Sequence, residues 1–193
     1  MAKKQDAQTP QEELTGTAAF KVDLYFWLQA LVMALVSLIL VFTLIGRVVG
    51  VEGYSMEPTL HDEDMLLLQS LGYTPKQGDV VVLRKPFAGI TGPIVKRVIA
   101  TGGQSVEIDY AAGTVTVDGV TLAEPYINEP MEEPGFQHQS SVLVPEGSIF
   151  VMGDNRNHSS DSRDLRLGLV DQRYVLGRAV MILLPFRDFG VID

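Results

Sequence analysis

Residues 24–46, LYFWLQALVMALVSLILVFTLIG, run for 23 positions without a charge. No other feature constrains the chain so strongly. A bilayer core about 30 Å thick is crossed by about 20 helical residues, so the run is long enough to span with a small tilt. Asp23 and Arg47 bracket it, and Tyr25, Phe26 and Trp27 cluster at its start. Aromatic rings of that kind favour the headgroup level. A buried core helix is the soluble alternative, but uncharged runs of this length are rare in soluble domains. Orientation follows the lysines and arginines near the ends. Lys3, Lys4 and Lys21 precede the run and only Arg47 closely follows it. Residues 1–23 therefore read as an inner, cytoplasmic tail, 24–46 as a single span, and 47–193 as an outer domain. The run is too long for the apolar stretch of a cleavable leader, and GRVVGVEG behind it lacks a small-x-small cleavage pattern. An uncleaved anchor is expected.

The outer part is long enough for one ordinary domain, and 46% apolar residues in the chain can supply a packed core. The net charge of -9 argues against nucleic acid as a partner, since that needs a basic footprint. There is no cysteine, hence no disulfide and no thiol chemistry. The three histidines, His61, His138 and His158, are too few and too badly spaced for a metal site.

After Arg47 the pattern changes to short apolar runs separated by turn formers. Strands are expected over 64–70, 79–85, 93–100, 148–154 and 174–185, with a hairpin over 105–120 that turns at Ala-Gly. The polar stretch 128–141 reads as a surface loop, and a short turn is expected near 58–62. The fold class is mostly β, an antiparallel β domain on one N-terminal transmembrane helix.

The strand IVKRVIA within 93–100 carries two cations on otherwise apolar faces. Side chains alternate, so Ile94, Lys96, Val98 and Ala100 share one face and Val95, Arg97 and Ile99 the other. Two readings stand. The strand is an edge whose charges prevent pairing with another chain, or at least one cation is drawn into the interior. Burial penalises an ammonium and lowers its pKa, and such a lysine can act as a general base toward a hydroxyl too weak to attack unaided. Arginine stays protonated, so only Lys96 could do this and Arg97 would be structural. Lys76 and Lys85 lie in a turn and at a strand end, where solvated roles are the default.

Two further stretches attract attention. GYSMEPTL (53–60) holds Ser55 shortly after the apolar run, as a turn residue or a nucleophile. MGDNRNHSSDSR (152–163) packs turn formers, charges and hydroxyls behind an apolar strand. It reads as an exposed loop, or as a network in which Asp154 and Asp161 pair with Arg97, Arg156 or Arg163.

Taken in order with the anchor and the β domain, GYSMEPTL, PIVKRVIA and GDNRNHSSDSR resemble the bacterial type I signal peptidases, the Ser-Lys leader peptidase family, in the compact form of Gram-positive bacteria. The weaker stretches GDVVVL (78–83) and EPYI (124–127) add to the resemblance. It implies Ser55 as nucleophile, Lys96 as general base, and Ser159 as the residue that hydrogen-bonds and orients the lysine. It implies supporting ion pairs of Asp154 with Arg97 and Asp161 with Arg163. The backbone N–H of Ser55 would stabilise the oxyanion, and Met56, Leu60 and Val95 would line small pockets for an Ala-x-Ala-like sequence. Some members carry a second oxyanion hydroxyl where this chain has Gly53. The chain also departs from the family in ATGGQS (100–105), where a Gly-x-Pro-Gly-Asp type turn is usual, and in DLRLGLV (164–170), which is about two residues longer than usual. The resemblance implies secretory preproteins as substrates, cut at the outer face of the bacterial cytoplasmic membrane with no metal or cofactor.

Three alternatives remain at this level. A self-cleaving Ser-Lys protease would need a regulatory or DNA-binding domain, and none is apparent. His158, beside Ser159, could be the base instead of Lys96. A membrane-tethered binding module would need neither Ser55 nor Lys96.

Overall fold

A run rich in leucine and alanine, with no internal glycine or proline, favours a helix, and one forms over α1 (Gly16–Leu44). In this computed structural model the described residues are 16–44, 46–135 and 137–192. The tail expected over 1–15 lies outside them. The chain divides into two units, Met1–Phe42 and Thr43–Asp193. In the first, the stretch Phe20–Leu40 is strongly apolar beyond Lys21 and Asp23, none of it is buried, and it is long enough to cross a membrane. The helix ends at Leu44, short of the uncharged run's last residue, because the chain enters a strand at Gly46.

The second unit is built of strands. In chain order they are β1 (Gly46–Gly50), β2 (Met65–Gln69), β3 (Val80–Leu83), β4 (Ile94–Thr101), β5 (Ser105–Asp109), β6 (Thr114–Val117), β7 (Val120–Thr121), β8 (Ser141–Leu143), β9 (Ser148–Met152), β10 (Val170–Asp171), β11 (Val175–Leu184) and β12 (Gly190–Val191). The main sheet has the order β1-β2-β11-β3-β4-β9-β10, with β12 on β11; the smaller one runs β7-β6-β5-β8. All pairings are antiparallel. The five expected runs and the 105–120 hairpin fall where hydrophobic alternation places them. β7, β8, β10 and β12 are too short for a period-two pattern to register, and β1 reads in the sequence as the tail of the apolar run. The described residues of the 128–141 stretch form a loop up to Ser141, where β8 begins, but Met131 among them is buried in the core.

β4 lies between β3 and β9, which excludes the edge-strand reading of its two cations. Lys96 pairs with Val81, and Arg97 pairs with Val80 on one side and Met152 on the other. Both cations are 3% exposed. β3 is buried at every position, as a continuous Val-Val-Val-Leu run inside a sheet should be. Three apolar clusters cover this centre. Val51, Met56, Leu60, Leu66 and Val95 belong to the first. The second joins Ile99, Phe150 and Met152 to the small sheet through Val106 and Val115. Val81, Val98, Val151 and Leu167 belong to the third.

Phe150 has no exposed surface. Phe150→Ala should cost about 3–5 kcal/mol of stability in chemical denaturation. Phe186→Ala, at an 83% exposed position, should change it by less than about 0.5 kcal/mol.

Candidate active site

The turn that carries Ser55 starts at Gly53, whose φ of +88° is a left-handed value that only glycine adopts without strain. The Gly53 N–H donates to Asp62 Oδ1 at 2.7 Å, which closes the turn from below. Leu60 N donates to Met56 O and Glu57 N to Tyr54 O, giving a short coiled segment. Three bonds tie this segment to residues 154–155. Asn155 N donates to Ser55 O at 3.1 Å, Asn155 Nδ2 donates to Tyr54 O at 3.0 Å, and Thr59 Oγ1 donates to Asp154 Oδ2 at 2.5 Å.

Lys96 reaches the turn from the middle of the main sheet. Its Nζ donates to Ser55 Oγ at 2.6 Å and to the Val95 carbonyl at 2.8 Å. Burial lowers the lysine pKa to about 8, against the opposing pull of the Asp161 and Asp154 carboxylates and with some help from the Arg163 cation. A neutral amine has two N–H groups and one lone pair. With one N–H on Val95 O, the lone pair is free to accept from the serine hydroxyl.

The two expected ion pairs are present and buried. Arg97 donates from Nε to Asp154 Oδ1 at 2.9 Å and from Nη2 to Oδ2 at 2.8 Å, and its Nη1 donates to Gly78 O. Arg163 grips Asp161 with Nε and Nη2 at 2.8 and 2.9 Å. Burial by itself would raise the Asp161 pKa, but the Arg163 guanidinium brings it below its ordinary value. Buried pairs of this kind add little net stability and act chiefly by fixing geometry. What they fix here is Gly153, whose N–H donates to Asp161 Oδ2 at 3.0 Å. A Cβ on Gly153 would come within 2.4 Å of Ser55 O and 2.3 Å of Ser159 Oγ.

Ser159 departs from expectation. Its Oγ is buried without a well-formed hydrogen bond to any group, Lys96 included. It sits over Gly153 and beside the Asp161 carboxylate, which it helps to keep ionised. The reason is that the lysine turns toward Ser55 and its own strand's carbonyl. Met56, Leu60 and Val95 stand together beside the turn, but at 1%, 0% and 7% exposure they are core residues more than open pocket walls. Ser55 N makes no hydrogen bond within the described residues, which leaves it free to act as a donor. Gly53 N cannot double it, being committed to Asp62. His158 is exposed and no hydrogen bond joins it to Ser55. Lys76 is exposed, whereas Lys85 is not simply solvated. It donates to the carbonyls of Leu167 and Leu169 and so pins the long 164–170 loop, and partial burial lowers its pKa.

On one side β4 is paired to β3 from Ile94 onward, but β9 joins it on the other side only from Arg97. Beside the Ser55 turn, Ile94–Lys96 therefore has no strand partner on that side among the described residues. An extended peptide would fit this open edge.

Sequence reading missed Thr59, Asp62 and Asn155 as anchors of the turn, and Glu124, which makes a buried ion pair with Arg156 at 2.5 Å. Partners 32 residues apart, as Glu124 and Arg156 are, leave no signal in spacing. The only hint was an acidic residue heading the EPYI stretch.

The family model for signal peptidase, peptidase S26, matches residues 24–184. Signal peptidase I of Bacillus licheniformis is 34% identical over 182 residues, covering 90% of this chain and 95% of that one. Signal peptidase I T of Bacillus subtilis is 34% identical over 184 residues, covering 89% and 92%. A solved signal peptidase I from Enterococcus faecalis V583 is 30% identical and covers 56% of this chain and 98% of its own, with a TM-score of 0.46. With the family model spanning most of its length and relatives of matching length, the chain belongs to the signal peptidase family, peptidase S26, and is a serine peptidase that removes signal peptides.

Proposed function

We propose that the chain is a membrane-anchored endopeptidase in which Ser55 is the nucleophile and Lys96 the general base. The observation that carries this reading is the 2.6 Å contact between Lys96 Nζ and Ser55 Oγ, made by a lysine that is 3% exposed. A solvated lysine is almost wholly protonated at neutral pH and cannot take a proton; burial supplies the neutral fraction.

The substrate lies extended along the open side of Ile94–Lys96, and its scissile carbonyl carbon stands over Ser55 Oγ. Neutral Lys96 takes the hydroxyl proton as Oγ forms the new bond, and the carbonyl oxygen becomes an oxyanion facing the Ser55 N–H. Lys96 then gives its proton to the departing amine, and the C–N bond breaks. Lys96 next takes a proton from water as that water attacks the acyl-enzyme, and returns it to Ser55 Oγ as the carboxylate leaves. No net proton stays on the lysine. Asp154 with Arg97, and Asp161 with Arg163, hold the lysine strand and Gly153 in register. Ser159 packs beside Gly153 and helps to hold that residue against the Ser55 turn. Met56, Leu60 and Val95 back the site as buried core and leave little room beside the Ser55 turn, in keeping with small residues before the cut bond in an Ala-x-Ala-like sequence.

The apolar helix is the anchor, with the N-terminus inside and residues 47–193 outside the cytoplasmic membrane. The basic flank of Lys3, Lys4 and Lys21 supports that orientation. Confinement to the membrane that also holds the preprotein's apolar leader raises the effective concentration of each for the other.

Ser55→Ala and Lys96→Ala should each abolish processing of a preprotein, with losses of about 10³-fold or more. Lys85→Ala and His158→Ala should retain it. A Ser55→Ala enzyme that still cleaved at the wild-type rate would end the proposal. In a pH series, kcat/KM should rise with pH and level off above about 8, because only the deprotonated lysine is competent. A profile flat from pH 6 to 9 would exclude Lys96 as the base. Gly153→Ala should lower kcat by about 10²-fold, since the added methyl must push Ser55 or Ser159 away.

A further inference from the structure

We propose that Glu124 and Tyr126 are positioning residues for the Ser55–Lys96 pair, forming one brace that links its two supporting ion pairs. The inference rests on the Ser-Lys reading above and adds to it residues that take no part in the proton transfers.

The brace starts from Gly153, the residue that packs against the Ser55 carbonyl. Asp161 holds its N–H, and Arg156 Nε donates to its carbonyl at 3.1 Å. Arg156 is wholly buried and needs a counter-ion. Glu124 provides one, accepting from Nη1 at 2.9 Å and from Nη2 at 2.5 Å, with its side chain 6% exposed. The Arg156 carbonyl in turn accepts from Arg163 Nη2 at 2.6 Å, so the same residue also steadies the Asp161 pair. Both sides of the Gly153 peptide are thus fixed by charges, one set held by Arg163 and the other by Glu124.

Tyr126 extends the connection to the second pair. Its hydroxyl donates to Glu124 Oε1 at 3.1 Å, and its ring lies 4.0 Å from the Arg97 guanidinium carbon. A cation over an aromatic face is held by the ring quadrupole. Two residues on, Asn128 N donates to Asp154 O at 3.3 Å. The 124–128 segment therefore touches Arg97, Asp154 and Arg156, though it lies far in sequence from all three. Buried charges joined in this way fix geometry rather than add net stability. The geometry at stake is the spacing of the Ser55 turn, which rests on residues 153–155, from the lysine strand, which Arg97 ties to Asp154.

The test uses the full-length enzyme in detergent with a preprotein substrate, and compares Tyr126→Phe, Glu124→Gln and the double variant. Tyr126→Phe keeps the ring over Arg97 and loses only the bond to Glu124, so it folds even if the buried glutamine does not. For a brace, Tyr126→Phe should lower kcat by about 3-fold and Glu124→Gln by about 10-fold, with KM changed by less than about 2-fold in both. The double variant should be no slower than Glu124→Gln alone, because both changes cut one connection. Val117→Ala, in the small sheet, serves as a control that lowers Tm without touching the brace. Losses that multiply in the double variant, that fall in KM, or that match those of the control at equal Tm would overturn the proposal. Unchanged kcat in Tyr126→Phe and Glu124→Gln would do the same and leave the Ser-Lys reading intact. That reading fails separately, through a fully active Ser55→Ala.

Discussion

The rest of the site depends on a lysine held where water does not reach it. An ammonium in the middle of a sheet is costly, and the fold meets that cost by lowering the lysine's pKa to about 8 rather than by giving it a carboxylate partner. The two carboxylates that pull against this, Asp161 and Asp154, would do so more strongly if they were unpaired. Each is instead held by an arginine, Arg163 and Arg97. The ion pairs therefore serve two purposes. They fix the backbone of residues 153–155, and they keep negative charge from restoring the ammonium.

That arrangement explains why so many polar groups are buried in a small region. Arg156 and Arg163 are among the largest fully buried side chains of the molecule. Such groups are tolerated only when their donors are matched, and nearly all are. Among the described residues four side-chain atoms are buried without a well-formed partner, Asp64 Oδ1, Ser70 Oγ, Asn155 Oδ1 and Ser159 Oγ, and the last two lie beside the Ser55 turn. Unmet polar atoms in a native core mark places where the structure is organised for something other than stability. Asn155 and Ser159 flank the residues proposed to do the chemistry.

Much of the β domain was legible in the sequence because strands of four or more residues write their burial as a run or an alternation. Val80–Leu83 and Ile94–Thr101 are examples. The site was legible in part, since Lys96 and Arg97 break an apolar pattern and Ser55, Asp154, Asp161 and Arg163 lie in stretches that resemble a known family. Alternation on β4 left open whether the strand was central or an edge. Neighbouring strands β3 and β9, 11 or more positions away at their nearest ends, decided that. The bond from Ser159 to the lysine, implied by resemblance, is not formed, because side-chain direction depends on packing that no motif encodes.

By itself the sequence determined the long apolar helix, the β character of the rest and the residue types available for acid-base chemistry. These follow from local composition and short-range periodicity. Only the tertiary structure decided that both cations of β4 are buried, that Lys96 meets Ser55 and not Ser159, and that Glu124 and Tyr126 stand behind Arg156 and Arg97. Each of these is a contact between segments distant in sequence. Its energy comes from desolvation and charge pairing, which exist only once the sheet has closed around them.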